Sequence, residues 1–202
     1  MKRTIKTMLV AALAAVSYAA AHAQGSNEDA VLQNIMTRCS IRKFQQKDVA
    51  QDKVEKLLRA GMAAPSSRDM RPWHFVVVQG KGNIDKLASS NPRQGDKIRA
   101  TPLIIIVCGD TTRMQEGEAR DFWVEDVSAA SENILLAAHA MGLGAVWTSI
   151  YPQMRKVNGY RENLGLPENL VPFNAIMIGY PDEPADVKDK WDPEQITYWT
   201  GK

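Results

Sequence analysis

Apolar and polar residues follow two rhythms along this chain. Over 30–36, 52–62 and 122–141 apolar side chains return every three or four positions, the spacing of a helix with one face turned to a core. Asn27 and Asp29 offer N-cap chemistry just before the first of these. In the second, Val54, Leu57, Leu58 and Met62 share a face, and the pattern ends at Pro65. In the third, Trp123, Val127, Ala130, Ile134, Ala138 and Met141 form a stripe that alanines at 129, 137 and 140 widen, so more than one face is expected to be covered. Gly142 and Gly144 stop it. Shorter helices are expected over 84–88 and 155–164, the latter closed by Gly165 and Pro167.

The other rhythm is that of strands. Leu103-Ile104-Ile105-Ile106-Val107 is an unbroken apolar run without polar alternation, which predicts a strand covered on both faces. Shorter strands are expected over 74–78, 145–148 and 174–178. The segment 111–121 is polar and mixed in charge, a surface connection or a lid over a site. The tail from Pro181 onward carries Trp191 and Trp199 among prolines and charges; it cannot bury them alone and is expected to lie across a neighbouring surface, its own or a partner's.

The first residues change the charge balance. Lys2, Arg3 and Lys6 precede an uncharged stretch over 8–20 and the small-residue site Ala21-His22-Ala23, which predicts a secretory signal peptide over 1–23 and an exported, periplasmic mature chain beginning at Gln24. The stretch is too short and too rich in alanine for an anchor of ~20 apolar residues, so no membrane anchor is expected after cleavage. No Arg-Arg pair is present, which favours the general secretion route. Cleavage leaves 22 Lys and Arg against 23 Asp and Glu, a net charge of −1 in place of the +2 of the full chain. A near-neutral domain with no basic run gives no reason to expect a nucleic-acid partner. Residues 24–202 suit one domain with a sizeable core. Cys39 lies in a polar run and Cys108 ends the apolar strand, so two unpaired thiols are expected in preference to a bridge.

Familiar nucleotide and metal motifs are missing from the sequence. Gly142-Leu143-Gly144 follows a helix and has Trp147 where a third glycine belongs, so it reads as a helix-stop turn; no P-loop occurs. His74 and His139 stand alone, without ligand spacing, and nothing in the sequence orients His74 toward Cys39 as a nucleophilic pair. Two other runs carry more. In Arg38-Cys39-Ser40-Ile41-Arg42-Lys43-Phe44, Arg38, Ser40 and Arg42 alternate, so in an extended segment they project to one side; two forked cations and a hydroxyl match a doubly charged phosphate better than a solvated surface does. In Ala64-Pro65-Ser66-Ser67-Arg68-Asp69-Met70-Arg71-Pro72-Trp73, small residues let a planar ligand approach the backbone.

In order and spacing these two runs resemble the FMN-binding signature of the nitroreductase family. The resemblance extends through the helix beginning Trp123-Val124-Glu125-Asp126, the strand Ala145-Val146-Trp147-Thr148, Leu164-Gly165-Leu166-Pro167, Ile178-Gly179-Tyr180-Pro181 and Lys188-Asp189-Lys190-Trp191, essentially the whole mature chain. It implies an α+β fold, a mixed central sheet flanked by helices, in an intertwined homodimer with FMN at each of two interface sites. By position, it implies that Arg38, Cys39, Ser40 and Arg42 bind the phosphate, ribityl chain and pyrimidine side of FMN, with Lys188 and Lys190 approaching the phosphate from the tail. Pro65, Ser66, Ser67 and Asp69 would come from the other subunit, and Trp147, Thr148 and Ser149 would line the isoalloxazine, a backbone N–H there reaching N5. No side chain is implied as an obligatory acid or base.

Two positions depart from the family pattern. Asp69 stands where Asn is common and Arg71 where Gln is common, and pairing of Asp69 with Arg71 or Arg68 is expected to balance the charge. The activity implied is ping-pong reduction of nitroaromatic, quinone or flavin-like acceptors with NADH or NADPH as electron donor. Other chemistry of the family, reductive dehalogenation or flavin destruction, and a non-catalytic exported flavin-binding module are the alternatives.

Overall fold

The run Leu103–Asp110 forms the central strand of the sheet, and its alternation explains the two-sided core. The computed structural model describes residues 27–89, 91 and 93–201, so the expected leader over 1–23 lies outside the described residues. Four strands, β1 (Trp73–Gln79), β2 (Leu103–Asp110), β3 (Gly144–Ser149) and β4 (Leu170–Gly179), pair in the order β1-β2-β4-β3. Every ladder is antiparallel, and the parallel contribution to the expected mixed sheet is a single bridge between Ser40 and Ala145.

Because side chains alternate across a strand, Leu103, Ile105 and Val107 of β2 face one side with Ile176 and Ile178 of β4. There they meet Val54 and Leu57 of α2 (Gln51–Met62) and Val127, Ala130, Ile134 and Ala138 of α5 (Phe122–Ala140). Ile104, Ile106 and Cys108 face the other side, against Ile84 and Leu87 of α3 (Lys81–Ser89), Ile98 of α4 (Gly95–Arg99) and Val157 and Tyr160 of α6 (Met154–Leu164). β2 is therefore buried on both faces, as the missing polar alternation predicts. Each of its isoleucines contributes about 1.5–3 kcal/mol through burial. Burial also pushes the Cys108 thiol up to about 12, and both cysteines are free.

Residues 1–37 and 38–202 group as two units, and each is described by itself. The described part of the first is helix α1 (27–37), whose Val31, Leu32, Ile35 and Met36 are exposed. In the second, β4 starts four residues earlier than expected and contains Pro172. The register explains how: Val107 pairs with Asn174 and Cys108 with Pro172, so Phe173 is the extra residue of a bulge, where a missing N–H is tolerated. Its carbonyl takes the N–H groups of Ile150 and Tyr151 instead. The loop expected between 89 and 103 contains α4, and 111–121 folds into two short 3-10 turns, Thr111–Arg113 and Gly117–Asp121. The tail beyond Pro181 is extended apart from a 3-10 turn at Pro193–Gln195, with Trp191 72% and Trp199 84% exposed. It does not cover these rings with its own chain.

Candidate functional site

The arginine run lies across the end of the sheet because two glycines clear space for it. A Cβ on Gly144 would stand 2.6 Å from Ile41, and one on Gly179 would stand 2.9 Å from Phe44, both far inside normal contact. Ile41 and Phe44 are thereby buried, and the Ile41 N–H donates to the Ala145 carbonyl at 3.1 Å. With these anchors turned inward, Arg38, Cys39, Ser40 and Arg42 line one side of a cavity of about 340 Å³. Lys188 and Lys190 line it from the tail, together with Glu183, Pro184 and Asp186. The six residues expected along the phosphate, ribityl chain and pyrimidine side of the ligand are thus brought together from two distant stretches of chain.

Four cations against two carboxylates leave the cavity positive. One carboxylate is already engaged elsewhere: Glu183 accepts the main-chain N–H groups of Arg42 and Lys43, and these bonds hold it below the usual carboxylate range. Asp186 stands 3.5 Å from Lys188. Arg38, 18% exposed, is oriented by Glu132 of α5 at 3.3 Å. The donor set, two guanidiniums, two ammoniums and a hydroxyl, fits a phosphate monoester.

A second cavity, about 570 Å³, opens at the end of β3. Of the three residues expected at the isoalloxazine, Thr148 and Ser149 line this cavity and Trp147 is not part of its lining. The Trp147 indole packs edge-on against Phe173 at 5.5 Å, on the α5 side of the sheet, and its Nε1–H donates to Ser149 Oγ at 3.1 Å. The strand's alternation sends Thr148 to the opposite face. Asn91, Arg93 and Gln94 from the turn before α4, and Gln153, Arg155, Lys156 and Tyr160 from α6 and its approach, complete the lining. None of these was singled out in the sequence, where they read as loop polarity and the solvated face of a helix.

The loop 65–71 stands apart from the 340 Å³ cavity, whose lining includes no residue of it. Arg68, Asp69 and Arg71 all have positive φ, 52°, 55° and 50°. Such a conformation costs a non-glycine residue roughly 1–2 kcal/mol, so contacts must offset it. The Ser67 N–H donates to Asp126 Oδ1 on α5 at 2.8 Å, the Arg71 N–H to Ser66 Oγ at 3.0 Å, and Gln115 Nε2 to Ser67 Oγ at 2.7 Å. Burial raises the Asp126 carboxyl above its ordinary value, against the Ser67 bond that lowers it. Of the two expected pairings, Asp69 makes the one with Arg71, through two bonds of 2.7 and 2.5 Å that hold its carboxyl low. Among the described residues no group of three His, Cys, Asp or Glu side chains is placed to hold a metal, and no helix is long and apolar enough to cross a membrane.

Comparison with known proteins identifies the family of this fold. The sequence pattern described as the Nitroreductase family matches residues 35–100 and 83–180. A relative from Methanothermobacter thermautotrophicus, provisionally named an NADH dehydrogenase/NAD(P)H nitroreductase, is 44% identical over 166 residues, 82% of this chain and 85% of that protein. A crystal structure from Bacteroides thetaiotaomicron with the same provisional name superposes with a TM-score of 0.76 at 43% identity, covering 84% of this chain and 96% of the other. A provisionally named nitroreductase from Desulfovibrio desulfuricans, solved in complex with FMN, superposes with a TM-score of 0.71 at 32% identity, covering 84% and 96%. The shared pattern, the shared fold and the length over which both extend establish that this chain belongs to the nitroreductase family.

Proposed function

We propose that the protein is an FMN-dependent oxidoreductase that takes electrons from NADH or NADPH and passes them to small nitroaromatic, quinone or flavin-like acceptors. The observation that carries this reading is the convergence of Arg38, Ser40, Arg42, Lys188 and Lys190 on one cavity. The FMN complex of the relative from Desulfovibrio desulfuricans supports the choice of ligand.

In this reading Arg38, Ser40, Lys188 and Lys190 hold the phosphate and Cys39 meets the ribityl chain. Arg42 sets a fixed positive charge toward the pyrimidine side, which favours negative charge there without moving a proton. Thr148 and Ser149 line the space for the ring, and Trp147 supports them from behind through its bond to Ser149. Bound FMN supplies the electron-transfer chemistry. The rigid loop Pro65, Ser66, Ser67 and Asp69 serves the site of a second copy, which makes the working unit a homodimer. The protein is exported to the periplasm, and its purified mass starts at Gln24.

The test is the visible spectrum of the purified protein before and after anaerobic NADH or NADPH. A yellow protein that bleaches with either donor is expected. A colourless protein that takes up no added FMN overturns the reading.

A further inference from the structure

The cavity at the end of β3 carries a charge pattern that the flavin reading leaves unused. Arg93, Arg155 and Lys156 line it, and among the described residues every other polar lining side chain is neutral and none is a carboxylate. Three like charges around one space repel one another, an arrangement that a bound anion relieves.

The placement of two of these cations is also against the local electrostatics. Arg155 and Lys156 lie in the first turn of α6, the positive end of the helix dipole, and that turn contains no acidic residue. On other helices several cations pair with a carboxylate of their own element. Lys56 pairs with Asp52, Arg59 with Glu55, Lys81 with Asp85 and Arg99 with Asp96. Among the described residues, Arg93 and Arg155 have no such partner, and Lys156 Nζ donates to the Ser149 carbonyl at 3.2 Å, beside the proposed ring position. A local rule broken without a stabilising gain points to function.

We propose that Arg93, Arg155 and Lys156 form a subsite for the negative charge of the electron acceptor. The preferred acceptor is then a small aromatic anion, its sulfonate, carboxylate or phosphate on these cations and its reducible ring toward Thr148 and Ser149. This rests on the flavin reading for the position of the ring, whereas the anion subsite itself is a property of the cavity.

Calorimetric titration of the FMN-treated protein with naphthalene-2-sulfonate and with the uncharged naphthalene-2-sulfonamide tests it without any electron donor. The sulfonate is expected to bind about 10-fold more tightly than the sulfonamide, the sum of contacts with the exposed Arg93 and Arg155 and the half-buried Lys156, and to weaken as salt is raised. In the Arg93→Gln/Arg155→Gln protein the two ligands converge. Equal affinities in the unaltered protein, a preference that survives the double substitution, or inorganic pyrophosphate displacing the sulfonate at equal concentration would each overturn the proposal, the last by showing a site for nucleotide phosphates. The visible spectrum of the same samples reports separately whether FMN is bound, so failure of the flavin reading is seen apart from failure of the subsite.

Discussion

Glu183 Oε1 accepts the main-chain N–H of Arg42 at 2.5 Å and that of Lys43 at 3.2 Å. An acidic side chain thus fastens the tail to the arginine run while turning its charge onto peptide groups, leaving the guanidinium of Arg42 and the ammoniums of Lys188 and Lys190 to face the cavity. Glu183→Ala is expected to speed amide exchange at Arg42 and Lys43 and to loosen the tail. Because the folded carboxyl is held low, its contribution is present above the ordinary carboxylate range and is lost as pH falls through the folded value. Exchange in the two proteins therefore converges in acid, and hydrogen-exchange measurements across that range check both parts.

Replacing Arg38 and Arg42 together with alanine is expected to release FMN and spare the fold. Each charge-assisted contact is worth about 1.5–3 kcal/mol, which for the pair is a loss of roughly 10²–10⁴ in affinity. The stability cost is small, since Ile41 and Phe44 still anchor the segment and the partner left by Arg38 is the half-exposed Glu132. Flavin fluorescence gives the affinity and urea unfolding the stability. Stoichiometric flavin on the double variant would contradict the assignment.

Asp126→Ala strands the Ser67 N–H and is expected to cost about 1–3 kcal/mol, with the strained loop loosened first. Asp126→Asn keeps an acceptor oxygen and removes the charge. Since burial raises the folded carboxyl, its contribution is fully present below the unfolded value and is lost as pH rises through the folded one. The Asn protein therefore gains on the original between acid and neutral pH. Urea midpoints at the two ends of that range decide the sign.

Much of this was readable from short-range pattern. The unbroken apolar run Leu103–Val107 announced a central strand, and the stripe from Trp123 announced α5, because burial on two faces and on one stripe leaves a direct trace in residue order. The alternation of Arg38, Ser40 and Arg42 likewise showed that these side chains share one side, where they line the 340 Å³ cavity. What escaped depends on contacts distant in sequence. The left-handed Arg68, Asp69 and Arg71 have no local signal, since their strain is offset by Asp126, 59 residues away from Ser67. The start of β4 at Leu170, ahead of the expected 174, depends on the bulge at Phe173 opposite Val107 and Cys108 of β2, a partner far away in sequence. The contact of Trp147 with Phe173 joins β3 to the bulge of β4 and has no trace in local residue order.

A concentration series in the analytical ultracentrifuge is expected to show a dimer that tightens when FMN is added. The exposed Trp191 and Trp199 of the tail and the loop held away from the 340 Å³ cavity motivate this, and a ligand that touches both copies stabilises their association. A monomer with FMN bound refutes the shared site. Equal dissociation with and without FMN refutes the coupling alone.

The glycine-cleared seat of the arginine run also bears on how firmly that run is held to the rest of the domain. Main-chain bonds from Ile41 to Ala145, Gln45 to Tyr180 and Asp182 to Lys43, together with two apolar side chains, hold this arm to the end of the sheet. None of them belongs to the ladders among β1, β2, β4 and β3. Opening of this arm alone would leave those ladders intact. The hem of the protein that carries the arginines is therefore held by a separate seam, only as firm as the fit of Ile41 and Phe44 over two missing side chains.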